Sequence, residues 1–464
     1  MHFYINFKTI IQLNIKVFLR ATKTSIRKRG FFMNSIAFSQ SKREEYIARR
    51  RDLHRHPEPG WLEYRTAAYA ATVLSELGYE IKAGAEALNL NARMGLPSEE
   101  EMKAAMDRAI AEGADPKWVE IFGYGKTALV ATMKFSDDGP VIAFRNDIDS
   151  NDIGESQDAD HRPVKDGFAS IHPKAMHACG HDAHLTMALG LAEYVATHKD
   201  QYKGTIKFIV QPAEEGVRGG YAMKEAGVVD DVDILFGIHI GIDKNLAGCL
   251  ACSDPGFLAT TKLDANFHGY AAHAGARPEE QKNAMLAACT AVLNLQAIAR
   301  HNAGMTRINV GTLTAGTGRN VTPDCATLKL ETRGENTEIN TFMENRAKTI
   351  LNAAAAMHDC TVDIEVAGTA PAVVNSEDLA HDVMAIAEKL NLFKRIDLVY
   401  EGGGSEDCAH LMQRVIDNGG KATYMILGSA IKASHHNPRF DIEEEDMLNG
   451  IALLGALADN FLKK

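Results

Sequence analysis

Four short apolar runs in this chain each lead into acids or imidazoles, and that pattern narrows the fold more than any other feature. Residues 141–145 run into Asn146-Asp147-Ile148-Asp149, and 206–210 run into the Glu214-Glu215 loop. Residues 234–240 carry His239 at their end, and 422–427 lead toward His435-His436. Runs this apolar read as strands buried on both faces. Helical periodicities at 41–55, 63–78, 184–198, 219–227, 377–391 and 443–462 lie among them. Strands alternating with helices predict an α/β catalytic domain, a mostly parallel sheet with helices on both faces. In such sheets sites form beyond the carboxyl ends of the strands, so the four polar ends are expected to converge on one pocket.

The rhythm changes after residue 257. Strand 261–268, helix 279–300, strands 307–314 and 325–333, helix 337–357 and strand 361–367 give the order β-α-β-β-α-β. That is a split βαβ, ferredoxin-like α+β domain on a four-stranded sheet, inserted into the first domain. The expected division is an extension over 1–40, a catalytic domain from 41–257 and 372–464, and an inserted domain over 258–371. A chain of 464 residues is long enough for two such cores. The stretch 92–120, with a helical pattern at 99–112, is polar and reads as a surface excursion. Residues 1–33 carry seven basic side chains and no acid. They read as a disordered extension preceding a second start at Met33, with an amphipathic targeting or membrane-surface segment as the alternative.

Composition excludes several classes. A net charge of -11 leaves no basic face for nucleic acid. No apolar run is long enough to span a bilayer. The seven cysteines are scattered, and only Cys249 and Cys252 form a C-x-x-C. That pair sits in an apolar context without a second pair or histidine nearby, so both read as buried thiols. With no disulfide framework, the cytoplasm is the expected compartment.

The chemistry concentrates in Met176-His177-Ala178-Cys179-Gly180-His181-Asp182-Ala183-His184. Thiolate, imidazole and carboxylate together suit zinc or manganese. Candidate donors for two divalent ions are Cys179, His181, Glu215, His239 and His436, with Asp147, Asp149, Asp182 and His184 as further candidates. Glu214 and Glu215 are adjacent; in a loop, one can coordinate while the other serves as base toward an activated water. Arg333 closes a strand and suits a planar carboxylate, although composition alone favours a surface ion pair with Glu331 or Glu335.

Taken together, these segments resemble the two-metal aminoacylase and carboxypeptidase-type amidohydrolase family. They are most similar to its cysteine-ligand branch, which includes indole-acetyl-amino-acid hydrolases. The resemblance runs from about residue 41 to the C-terminus. It is carried by 52–60, 145–149, 176–184, 211–216, His239, 268–278, 318–323, 404–407 and 436–440. Within the branch, 91–97 with the insertion behind it, 162–168 and 402–407 resemble the aminobenzoyl-glutamate hydrolase A-subunit group. The resemblance implies hydrolysis of an N-acyl amino acid such as p-aminobenzoyl-glutamate. Indole-acetyl-aspartate or other N-acyl amino acids are alternative substrates, and a non-catalytic, metal-bound partner subunit is the rival role. It also implies metal ligands at Cys179, His181, Glu215, His239 and His436, and a general base at Glu214. His273 would steady the oxyanion in a partner's active site, and Asn320 and Arg333 would grip the substrate carboxylate. Asp149 belongs to the catalytic set, although Ser150-Asn151-Asp152 stands where many relatives have a proline shortly after the Asp-x-Asp pair. The family dimerises through its inserted domain, here with itself or with a related subunit.

Overall fold

Alternate residues of the central strands point into two different cores, which places them in the middle of a layered sheet. Ile142 and Phe144 join one buried cluster while Ala143 joins the other, and Met425 and Leu427 oppose Tyr424 and Ile426 in the same way. The structure, a computed structural model, describes residues 34–464. Its strands are β1 (Glu80–Ala83), β2 (Leu129–Lys134), β3 (Val141–Asp147), β4 (Thr205–Gln211), β5 (Ile234–Ile240), β6 (Cys249–Ala251), β7 (Ala259–His268), β8 (Thr306–Ala315), β9 (Cys325–Gly334), β10 (Thr361–Ala370), β11 (Arg395–Asp397) and β12 (Lys421–Leu427).

Eight strands form the large sheet, in the order β1-β2-β4-β3-β5-β12-β6-β11. Its centre, β4-β3-β5-β12, is parallel throughout. Antiparallel pairings of β1 with β2, β2 with β4 and β6 with β12 make the whole sheet mixed. Helices cover both faces. Arg43–Arg55, Tyr64–Glu76, His181–His198, Glu377–Leu390 and Glu444–Leu462 pack in one core, and Gly219–Glu225 and Cys408–Asp417 in the other. His181–His198 is buried from His181 to Val195 because it lies between the sheet and the helices Arg43–Arg55, Tyr64–Glu76 and Glu444–Leu462.

The inserted unit has the sheet order β10-β7-β9-β8, antiparallel throughout, with its helices Ala284–Gln296 and Thr337–Met357 on one face. Leu263, Ala265 and Phe267 of β7 point into those helices, while Lys262 and Asp264 point the other way. That polar face roofs a cleft over the large sheet's domain.

Two expectations differ from what is seen. The last residues of the expected extension, 34–40, are helical, with Ser35 and Ser39 buried; residues 1–33 lie outside the described residues. The expected surface excursion packs inward as well: Met102, Ala105 and Ala109 of the helix Glu99–Ala111 are buried, as are Val119 and Phe122. Its polarity belongs to its outer face only. Cys249 and Cys252 are buried free thiols. Among the described residues, no helix is long and apolar enough to cross a membrane.

One buried cation ties the outer helices to the sheet's end. Arg50 is fully buried, with Asp182 at 2.8 Å, Asp441 at 3.0 Å and Glu444 at 3.6 Å. Arg50→Ala would strand three buried acids. The expected loss is about 3–5 kcal/mol of unfolding free energy, read by urea denaturation; a loss below about 1 kcal/mol would show that the acids are relieved by other means.

Candidate metal centre

Cys179 and His181 flank a turn that only glycine makes easily. Gly180 has φ +89° and begins the buried helix; a Cβ there would lie 2.8 Å from Ile240 Cγ2. His181 donates from Nδ1 to the Asp149 carbonyl at 2.8 Å. Its Nε2 is buried and has no hydrogen-bond partner. His239 donates from Nδ1 to the Ile240 carbonyl at 3.0 Å, and its Nε2 faces the Cys179 sulfur at 3.5 Å. Both rings therefore turn Nε2 toward the same space.

The second half of the centre is the loop after β4. Ala213 (φ 50°) and Val217 (φ 58°) both adopt left-handed backbone, which is costly for a β-branched valine. Buried carboxylates hold the loop there. The two Asp149 oxygens accept the backbone N–H groups of Glu214 at 3.1 Å and Glu215 at 2.9 Å, and Glu63 accepts that of Ala213 at 2.8 Å. Glu215 then meets His436 Nε2 at 3.2 Å and Asn151 Nδ2 at 2.6 Å. Glu214 lies 3.9 Å from His181 Nε2. His436, also left-handed at φ 60°, is over half exposed, its side chain at 55%.

Three overlapping groups share these atoms within 4.8 Å: Cys179, His181 and His239; Cys179, Glu215 and His436; His181, Glu214 and Glu215. Cys179, Glu214, Glu215, His239, His436 and Arg333 line one cavity of about 280 Å³. The structure thus brings the five expected ligands, the expected base and Arg333 together. Arg333 also makes the ion pair with Glu331, at 3.0 Å, and reaches Ser405 Oγ at 3.3 Å. His273 and Asn320 are not part of this cavity. They lie exposed beside one another on the inserted domain, where the Ala274 N–H reaches the Asn320 carbonyl at 3.4 Å.

The four further donor candidates are engaged elsewhere. His184 donates from Nδ1 to Asp147 at 2.6 Å and accepts the Ile240 N–H at Nε2 at 2.9 Å, so neither nitrogen is free. Asp147 also bonds Arg145 at 2.7 Å. Asp182 faces away, toward Arg50 and His54. Asp149, expected among the catalytic groups, accepts the loop backbone with both oxygens, and its Oδ1 also lies 3.3 Å from His181 Nδ1. Sequence reasoning missed Asn151, Glu63 and the buried trio Arg145, Glu406 and Asp407, in which Arg145 contacts the two acids at 2.9 and 3.3 Å. Only the trio had a signal, Arg145 in the 145–149 segment and Glu406 and Asp407 in the 404–407 segment.

Electrostatics divides the two adjacent glutamates. Burial, and then Glu406, Glu215 and Asp407, push the Glu214 carboxyl well above its ordinary range. Burial would raise Glu215 as well, but the bond to His436 and the charge of His181 outweigh it and bring Glu215 to about 2. Burial and Glu215 raise the Cys179 thiol, while its bonds to Cys179 and Glu215 lift His436 to about 10. The donor set fits divalent metal: a buried ring nitrogen without a hydrogen-bond partner, a second imidazole beside a thiol, and a carboxylate kept ionised.

The description "Peptidase family M20/M25/M40" matches this chain over residues 143–460. The chain is 45% identical over 413 residues to the indole-3-acetyl-aspartic acid hydrolase of Enterobacter agglomerans, covering 89% of this chain and 94% of that protein. It is 44% identical over 413 residues to the p-aminobenzoyl-glutamate hydrolase A-subunit of Escherichia coli (strain K12), with the same coverage of 89% and 94%. The crystal structure of an aminobenzoyl-glutamate utilization protein from Klebsiella pneumoniae superposes with a TM-score of 0.78 at 37% identity, covering 92% of this chain and 97% of that one.

Metal uptake should release protons. Cys179, His181 and His436 all have raised proton affinity, and each must be free of its extra proton to coordinate. Apparent affinity for zinc or manganese is therefore expected to rise with pH, by about two to three protons per binding event between roughly pH 6 and 8. Calorimetry in buffers of different ionisation enthalpy measures this; binding enthalpy independent of the buffer would contradict it.

Proposed function

We propose that this chain, which belongs to peptidase family M20/M25/M40, hydrolyses the amide of p-aminobenzoyl-glutamate to p-aminobenzoate and glutamate. The observation that carries the reading is Glu214, a buried carboxyl held at 3.9 Å from His181 Nε2 in a cavity it shares with Cys179, Glu215, His239, His436 and Arg333. Two divalent ions, manganese or zinc, would be held by Cys179, His181, Glu215, His239 and His436. When bound, they supply Lewis acidity to the amide carbonyl and make a water easier to deprotonate.

The side chains do the rest. Glu214 takes a proton as the water oxygen adds to the carbonyl carbon, then delivers it to the nitrogen as the C–N bond breaks. Its raised proton affinity suits the second task as much as the first. Arg333 orients the substrate carboxylate through its planar fork. His273 supplies a donor for the oxyanion. Its Nδ1 accepts the N–H groups of Gly275 at 3.2 Å and Ala276 at 3.1 Å, so the neutral ring carries its proton on Nε2.

Because His273 and Asn320 lie outside the metal cavity, they would serve the site of a partner, either a second copy or a related chain. The Escherichia coli relative is named as one subunit of its hydrolase, which is in keeping with a partner chain. Exposed Leu286 and Leu293 on the helix Ala284–Gln296, with Leu313 on the edge strand β8, offer an apolar surface for that contact. A reducing cytoplasm is the compartment we propose, since it keeps a thiol ligand such as Cys179 available. Indole-acetyl-aspartate is the second candidate substrate, favoured by the 45% identity to a hydrolase of that name.

Two experiments test these roles. Glu214→Gln should keep both metals, measured by elemental analysis, while turnover of p-aminobenzoyl-glutamate falls roughly 10²–10⁴-fold; unchanged turnover would remove Glu214 from the mechanism. His273→Ala and Glu214→Gln chains, each inactive alone, should regain activity when dissociated and reassembled together, because a mixed dimer holds one complete site. If mixing restores nothing while mixed dimers demonstrably form, His273 does not act across the interface.

A further inference from the structure

The polar face of the inserted sheet carries an unbalanced row of charge beside the metal cavity. Lys262 on β7 stands in register with Glu331 on β9, and Arg333, two residues further along β9, shares that face. Glu331 accepts Lys262 Nζ at 3.0 Å, Arg333 Nε at 3.0 Å and Arg333 Nη2 at 3.2 Å. One carboxylate therefore serves two cations, and the row keeps one net positive charge. The next row does not, since Lys329 is paired with Asp264 at 3.2 Å. The bond to Glu331 occupies one of three ammonium donors of Lys262, leaving two for a ligand.

The two cations also occupy different places. Arg333 lines the metal cavity. Lys262 lines both that cavity and an adjoining cleft of about 540 Å³, and Glu215 and Gly216 form the shared edge. Lys262 thus stands where the reaction chamber opens. Across the cleft, Arg218 is spent on the carbonyls of Glu215 at 3.0 Å and Gly95 at 2.9 Å, and Asp152 shares its wall.

We propose that Lys262 selects acidic amino acids, binding the side-chain carboxylate of a glutamate or aspartate leaving group while Arg333 takes the α-carboxylate. This rests on the amide-hydrolase reading above and adds to it the residue that recognises the acidic side chain of the amino acid released. The α-carboxylate lies one carbon from the scissile nitrogen, so it stays inside the chamber with Arg333. The side-chain carboxylate lies further out, toward the mouth. A guanidinium fork suits the fixed inner group, and an ammonium on a flexible stem suits an outer group whose distance differs between glutamate and aspartate.

The test compares isosteric conjugates, p-aminobenzoyl-glutamate and p-aminobenzoyl-glutamine, on the metal-loaded enzyme. The wild-type chain is expected to favour the glutamate conjugate by roughly 10- to 100-fold in kcat/KM, the range for a hydrogen bond to a charged group. The preference should reside mainly in KM. Lys262→Gln should reduce that ratio to within about threefold of unity, and Lys262→Arg should restore most of it. A wild-type ratio near one, or a ratio unchanged in Lys262→Gln, would overturn the selection by Lys262 and leave amide hydrolysis standing. A wild-type enzyme inert toward both conjugates and toward indole-acetyl-aspartate would overturn the hydrolase reading and this one with it. Because the wild-type ratio is itself decisive, the proposal stays testable even if a variant fails to fold.

Discussion

The active centre depends on buried carboxylates binding backbone rather than metal. Asp149 and Glu63 accept three consecutive N–H groups, those of Ala213, Glu214 and Glu215, and so hold a loop that its own residues disfavour. Left-handed backbone at Ala213 and Val217 costs of order 1–3 kcal/mol per residue, and it persists only where the surroundings over-determine it. Three hydrogen bonds accepted by buried acid oxygens that the surrounding core fixes in place are enough to do so. What the loop gains is divergence: two neighbouring glutamates face different partners, which a regular strand permits only by sending one to the opposite face of the sheet. Glu215 meets His436 and Asn151, and Glu214 meets His181 with the acids behind it.

The divergence is electrostatic as well as geometric. Glu215 keeps its charge because cations face it, and Glu214 has its proton affinity raised because burial, Glu406, Glu215 and Asp407 act on it. Those acids, Glu406 and Asp407, are tolerated inside the protein because Arg145, Gln211 and Tyr424 bond them. Gly220 contributes too. Its N–H reaches Asp407 at 2.8 Å, and a Cβ there would lie 2.3 Å from the Asp407 carbonyl oxygen. Removing the arginine side chain from such a network would leave uncompensated charge, which is why a residue without a reactive role can still be indispensable.

Much of this was legible in the sequence. The central strands and the long helices follow from hydrophobic period, and the Cys179–His181 motif announced its chemistry. The short strands β1, β2, β6 and β11 carry too few residues for a period to register, so the antiparallel margins of the sheet were not visible. The helix Cys408–Asp417 was missed behind its glycine-rich approach. Residue type identified donors at Asp147, Asp149, Asp182 and His184. Type does not reveal that His184 has both nitrogens taken or that Asp182 turns toward Arg50. Asn151, Glu63 and Lys262 belong to no motif, because what they do depends on which surfaces the fold brings face to face.

The ladder between β7 and β9 has a mechanical meaning. Lys262 faces Glu331, and Thr260 faces Arg333, in a fixed antiparallel pairing. The spacing between the two strand positions is therefore a property of sheet geometry, and the flexible stem of Lys262 adjusts the ammonium within it. The ladder plants the roots of both prongs on one face. Sliding either strand by one residue against the other would turn one prong away and leave the other in place.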